Sequence, residues 1–117
     1  MPSNSFPDRY GKTTKVYRGF RDPHGNAKVT VNGKPLNPRF DLENHSPTGF
    51  EWGYGGSGPA QLALALLADA LRSGKKARKL HQRFKRKVTA RICHDANWEL
   101  SDRNIRTIVS DLEDDNA

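Results

Sequence analysis

From Trp52 to Leu71 the chain reads WGYGGSGPAQLALALLADAL, a glycine-rich turn that runs into the one strongly apolar stretch of an otherwise hydrophilic sequence. Placed on a helix at about 100° per residue, Gln61, Asp69 and Arg72 share one narrow polar stripe, and leucines and alanines fill most of the remaining circumference. A helix apolar on most of its sides is a buried helix, so the domain has to be assembled around this one. Leu64 and Leu67, which lie away from the stripe, are predicted core residues. Pro59 suits the first turn, where its missing N–H is no loss; Ser57 or Gly58 is placed to cap it, and Gly74 is placed to end it.

Other elements form around this anchor. KVYRGF at Lys15 to Phe20 has the β-branched and aromatic content of a short strand, and DPHGN at Asp22 to Asn26 is a turn cluster. Ala27, Val29 and Val31 alternate with Lys28 and Thr30, which predicts a half-buried strand. Asn32-Gly33 then suits a two-residue hairpin turn, and Lys34 to Leu36 returns as a third strand that Pro35 confines to a sheet edge. Residues Asn37 to Gly49 read as an ordered loop, after which Phe50, Trp52 and Tyr54 alternate into the glycine turn. Ala77, Leu80, Phe84 and Val88 recur at spacings of three and four and predict a second helix from Lys75 to about Ile92. Trp98 to Leu100 reads as a short strand, and Ser101 as the cap of a last helix whose inward face is Ile105, Ile108, Val109 and Leu112. Strands followed by helices give an α+β fold: a small N-terminal antiparallel hairpin sheet packed on about three helices, with the central one buried.

A chain of 117 residues fits one domain, and a hydrophobic fraction of 34% implies a small core with loosely held ends. The expected boundaries are a disordered tail over residues 1–14, a single domain over 15–112 and an acidic disordered tail over 113–117. The apolar stretch from Pro59 is shorter than the roughly 20 residues a membrane span needs, and the N-terminus has no signal-peptide core. With Cys93 as its one cysteine, the chain cannot form an internal disulfide, and a cytoplasmic location is expected.

The formal net charge is +7, and it is concentrated. Residues 72–91 hold ten of the twenty Lys and Arg and no Asp or Glu, so the rest of the chain is slightly acidic. A solvated helix usually intersperses Glu with Lys for support between neighbouring turns; here like charges repel instead. An acidic partner is the natural compensation, supplied by a polyanion or by the chain's own DLEDD segment. Lys75, Lys76, Arg78, Lys79, Arg83, Lys85, Arg86 and Lys87 are the candidate binding residues, with Lys75, Lys79, Arg83 and Arg86 opposite the apolar face.

Other motifs fall short of chemistry. Gly53 to Gly58 has the G-x-G-x-x-G spacing of a dinucleotide turn, but a helix follows where a strand is needed, and no acidic residue is in place for a ribose. The same glycines have P-loop spacing with Pro59 and Ala60 in place of its Lys and Ser/Thr, and a nucleophile elbow fails at Pro59. The turn is read as structural, with a positive φ expected at one of Gly55, Gly56 and Gly58, and no cofactor is expected. Asp41, Glu43 and His45, with Glu51 nearby, are the one grouping that resembles acid–base equipment; turn and capping bonds explain it as well. His24, His45, His81 and His94 are dispersed in sequence, so no metal site is expected, and Cys93 is read as a small buried residue.

NHSPTGFEWGYGGSGPAQLALALLADAL at residues 44–71 resembles a family of short proteins of unknown function found in bacteria, phages and plasmids. The similarity extends through Val16 to Gly19, Val31 to Leu36, Leu80 to Val88 and Leu100 to Leu112. The family carries no established activity; its recurrence in mobile elements implies a role in replication, host takeover or evasion of host defence. The first functional expectation is therefore a non-enzymatic protein that contacts nucleic acid or the acidic face of a nucleoprotein complex through its basic helix. The second is an inhibitor of a host defence complex, of the anti-CRISPR kind, acting by protein contact through His45, Trp52 and Tyr54. An enzyme using the Asp41–Glu51 loop is third.

Overall fold

The computed structural model describes residues 13–115. Three strands, β1 (Val16–Arg21), β2 (Ala27–Val31) and β3 (Lys34–Pro35), precede the helices α1 (Ser57–Leu71) and α2 (Gly74–Phe84). A π-helical turn (Lys85–Thr89), β4 (Trp98–Ser101) and α3 (Asp102–Asp115) complete the chain. The sheet is antiparallel throughout, in the order β3-β2-β1-β4, and this is an α+β fold. Asn32 and Gly33 both take positive φ, 49° and 83°, as a tight hairpin turn between strands of right-handed twist requires. No helix among the described residues is long and apolar enough to cross a membrane.

Every residue of α1 from Gly58 to Ala68 is buried, and Leu62, Leu64, Leu66 and Leu67 are fully enclosed. Tyr17 and Val29 from the sheet, Leu80 and Phe84 from α2, and Ile105, Val109 and Leu112 from α3 close around it. The stripe of α1 is polar but faces other parts of the protein. Gln61 is fully buried beneath the 37–50 loop, and Asp69 accepts hydrogen bonds from Tyr17 Oη (2.7 Å) and Lys15 Nζ (2.8 Å). Burial first, and then the Asp69 hydrogen bond, push the Tyr17 phenol far above its ordinary range, so it acts only as a donor.

The helix junction differs from its sequence reading. Arg72, rather than Gly74, takes the left-handed conformation that ends α1 (φ 52°), while Ser73 caps α2 by accepting from the Lys76 amide. Gly74 opens α2 and is small for another reason: a Cβ there would lie 2.8 Å from Leu42. In the glycine turn, the positive φ falls on Gly53 (93°) and on none of Gly55, Gly56 and Gly58. The Gly53 amide donates to Thr89 O, and any side chain at Gly53 would meet the His94 backbone at 2.7 Å. The turn therefore docks on the segment after α2.

The capping of α3 is as read: Ser101 Oγ accepts from the Asn104 amide and Asn104 Oδ1 from the Ser101 amide, each at 2.9 Å. This helix continues to Asp115, so Glu113 and Asp114 are helical where a tail was expected. The tail expected at residues 1–14 lies outside the described residues except for Thr13 and Thr14, and Thr14 is tied down. Asp102, 4% exposed at its side chain, accepts from Thr14 Oγ1 (2.7 Å), the Thr14 and Lys15 amides, and Arg106. Burial raises its pKa, but hydrogen bonds from Thr14, Arg106 and Lys15 outweigh burial and hold the carboxyl at about 2.

A carboxyl whose folded pKa is depressed binds fewer protons than the unfolded chain does between its two pKa values, so stability rises with pH there. Asp102 should thus contribute about 2 kcal/mol that is present above pH ~4 and lost as pH falls towards 2. Urea unfolding across that window should show this share of the acid limb missing in Asp102→Asn. Identical pH profiles for the two proteins would show that the Thr14 to Asp102 tie contributes nothing.

Candidate functional site

The basic segment forms one exposed face in two parts. On α2, Ala77, Leu80 and Phe84 turn inward, which leaves Lys75, Lys76, Arg78 and Lys79 exposed. The helix expected to continue to Ile92 widens at Lys85, where the Ala90 amide reaches back five residues to Lys85 O at 2.8 Å. The extra residue in the turn brings Thr89, and not Val88, to the deepest position, where its hydroxyl donates to Pro59 O at 2.9 Å. Arg86, Lys87 and Arg91 emerge on the outside. Because the helix ends early, Cys93 is exposed and not buried as expected.

Each part borders a shallow depression. One, of about 480 Å³, is lined by Leu42, Glu43, Gly74, Lys75, Arg78 and Lys79. The other, of about 440 Å³, has Leu112 as its one uncharged wall beside Arg83, Arg86, Lys87 and Arg91. The cations are not equally available. Arg83 is half-buried and its guanidinium donates to Leu112 O of α3, and Lys85 is half-buried. Arg78 Nε lies 3.8 Å from Glu43. Among the described residues, Lys75, Lys76, Lys79, Arg86 and Lys87 have no ion pair, and none joins Asp111, Glu113 or Asp114 to this face.

The second predicted surface does not assemble. Trp52 is fully buried, edge-on to Trp98 with ring centroids 5.6 Å apart and with the Arg21 guanidinium 4.5 Å from its ring centre. It seals the sheet against α1. Tyr54 is exposed beside His94, and His45 is turned towards α2. The acid–base loop splits: Glu43 stays beside His45, at 3.6 Å, while Asp41 and Glu51 are engaged elsewhere. Asp41 is gripped by Arg39 (2.9 and 3.0 Å) and Glu51 by Arg21 (2.8 and 2.9 Å), and these hydrogen bonds hold both carboxyls below the usual range. Neither is poised as a general base near neutral pH.

What the loop and α2 do bring together is Glu43, His45 and His81. The two Nε2 atoms are 2.9 Å apart, and Glu43 oxygens lie 3.6 Å from His45 Nε2 and 3.8 Å from His81 Nε2. His81 is 3% exposed, and its Nδ1 points at the carbonyls of Arg78 (2.8 Å) and Ala77 (3.1 Å). The histidines dispersed in sequence are thus two together and two apart. His81 was missed as a site residue because its neighbours Leu80 and Phe84 explain the helix face without it. An apolar helix face that includes one histidine was the available signal.

The fold and this surface define a small α+β domain with a concentrated cationic face beside a histidine pair. A profile of the family of unknown function DUF6166 matches residues 17–111, and the chain belongs to that family. No curated protein and no solved structure matches it.

Proposed function

We propose that this chain is a non-enzymatic, cytoplasmic binding protein of a phage or other mobile element, presenting the Lys75 to Arg91 face to nucleic acid or to the acidic surface of a nucleoprotein complex. The observation that carries this reading is the set of exposed cations at Lys75, Lys76, Lys79, Arg86 and Lys87, which have no ion pair among the described residues. Like charges held together on one rigid helical run repel at a standing cost, and a polyanion relieves it. Contacts from lysines and arginines to phosphates position a protein without reading bases, so binding is sequence-independent. Arg83 contributes mainly through α3, since its guanidinium already holds Leu112 O.

The test is a pull-down from bacterial lysate with and without nuclease. Loss of the captured material on nuclease treatment is the expected result. A nuclease-resistant, stoichiometric complex with a host defence protein would replace this reading with the protein-contact inhibitor.

A further inference from the structure

We propose that Glu43, His45 and His81 bind one divalent transition-metal ion of the zinc class, which staples the loop before α1 to α2. The donor set is two imidazoles and one carboxylate, a combination that suits zinc-class ions and is unlike the all-oxygen shells of calcium or magnesium. Nitrogens bound at about 2.0 to 2.1 Å in a tetrahedral shell lie roughly 3.3 Å from each other. The imidazole nitrogens, 2.9 Å apart, are within a few tenths of an ångström of that value. Glu43 approaches them through different oxygens, Oε1 at 3.6 Å from His45 and Oε2 at 3.8 Å from His81. Its carboxylate therefore closes on an ion by a side-chain rotation, within a cluster whose donors all lie within 4.8 Å of one another.

The orientation of His81 carries the argument further. With Nδ1 at 2.8 Å from Arg78 O, which can only accept, that nitrogen bears a proton, and Nε2, aimed at the cluster, is the nitrogen left to ligate. A backbone carbonyl behind a ligating histidine is the usual device for fixing ring and tautomer. His45 is held independently: its amide donates to Gln61 Oε1 at 2.7 Å, and Gln61 is fully buried. The donors thus stand on two rigid supports, α2 and the Gln61-anchored loop. Glu43 is one-third exposed, which leaves a coordination position open to solvent. Arg78, 3.8 Å from Glu43, is 59% exposed and free to swing outward when the ion neutralises that carboxylate.

Equilibrium dialysis of chelator-stripped full-length protein against Zn²⁺, with Co²⁺ absorption as a second readout, tests the assignment. One equivalent per chain and a tetrahedral Co²⁺ spectrum are expected. Glu43→Gln and His45→Gln, both at partly exposed positions, should each weaken binding at least about tenfold while retaining native circular dichroism. His94→Gln, at an exposed histidine outside the cluster, should bind as wild type. No saturable binding at micromolar Zn²⁺ would overturn the proposal, leaving a histidine–histidine hydrogen bond in its place. Binding by the Glu43 and His45 variants within twofold of wild type would overturn it equally.

Discussion

Replacing Gln61 by Leu should destabilise the protein by roughly 3 to 5 kcal/mol, although the two side chains are similar in size. The Gln61 carboxamide makes four hydrogen bonds to the backbone of the covering loop. Its Nε2 donates to Pro38 O (2.6 Å) and Glu43 O (3.1 Å), and its Oε1 accepts from the amides of His45 (2.7 Å) and Ser46 (3.2 Å). Leucine offers none of these, and a buried backbone group without a partner costs about 1 to 3 kcal/mol. Some of the four groups reach water once the loop loosens, so the full sum is not expected. Hydrogen exchange should accelerate at the His45 and Ser46 amides, while the sheet keeps its protection. Gln61→Glu should fall between wild type and Leu, because a carboxylate still accepts from the two amides but cannot donate to the two carbonyls. A Gln61→Leu protein within 1 kcal/mol of wild type in urea unfolding would show that the loop holds without this residue.

Gln61 also shows where sequence reasoning stops. Periodicity reports which face of a helix is apolar, and the polar stripe through Gln61, Asp69 and Arg72 was legible. Which segment covers that stripe is a tertiary fact: Gln61 meets the loop, Asp69 meets Tyr17 and Lys15, and only Arg72 is exposed. Some local chemistry was legible and some was not. The Asn32-Gly33 turn, the Ser101 cap, the edge position of Pro35 and the inward residues of α3 each depend on neighbours within a few positions. The ends of α1 were misread: it is capped at Gly56 with no side-chain hydrogen bond rather than by Ser57 or Gly58, and ends at Arg72 rather than at Gly74.

Pairings across long separations were not legible. β4 lies beside β1, and Gly19 is required there because a Cβ would fall 2.1 Å from the Trp98 indole. Trp52 could be read as core or as surface until Trp98 was placed against it. His45 and His81 are 36 positions apart, so no spacing motif announces them. The π turn was hidden for a different reason. Val88 fits a regular helical period, and only the hydrogen bonds of Thr89 to Pro59 and of Gly53 to Thr89 favour the wider turn.

The binding account rests on cations that have no ion pair among the described residues, and they can be removed without touching the core. Lys75, Lys79, Arg86 and Lys87 are exposed, so changing all four to Gln should shift stability only slightly. Arg83 is left in place because its contact with Leu112 O joins two helices. Each neutralised phosphate contributes about −0.9 to the slope of log affinity against log salt on duplex DNA. Four lost contacts should therefore flatten the slope by about 3.6 and weaken binding at ~0.1 M salt by roughly three orders of magnitude or more. The decisive measurement is fluorescence anisotropy of a labelled duplex of arbitrary sequence, titrated with wild type and the fourfold variant across a salt series. Steep salt dependence for wild type, flattened by about that amount in the variant, is the predicted result. Salt-insensitive binding, equal affinity of the two proteins, or no wild-type binding even at ~0.02 M salt would contradict it.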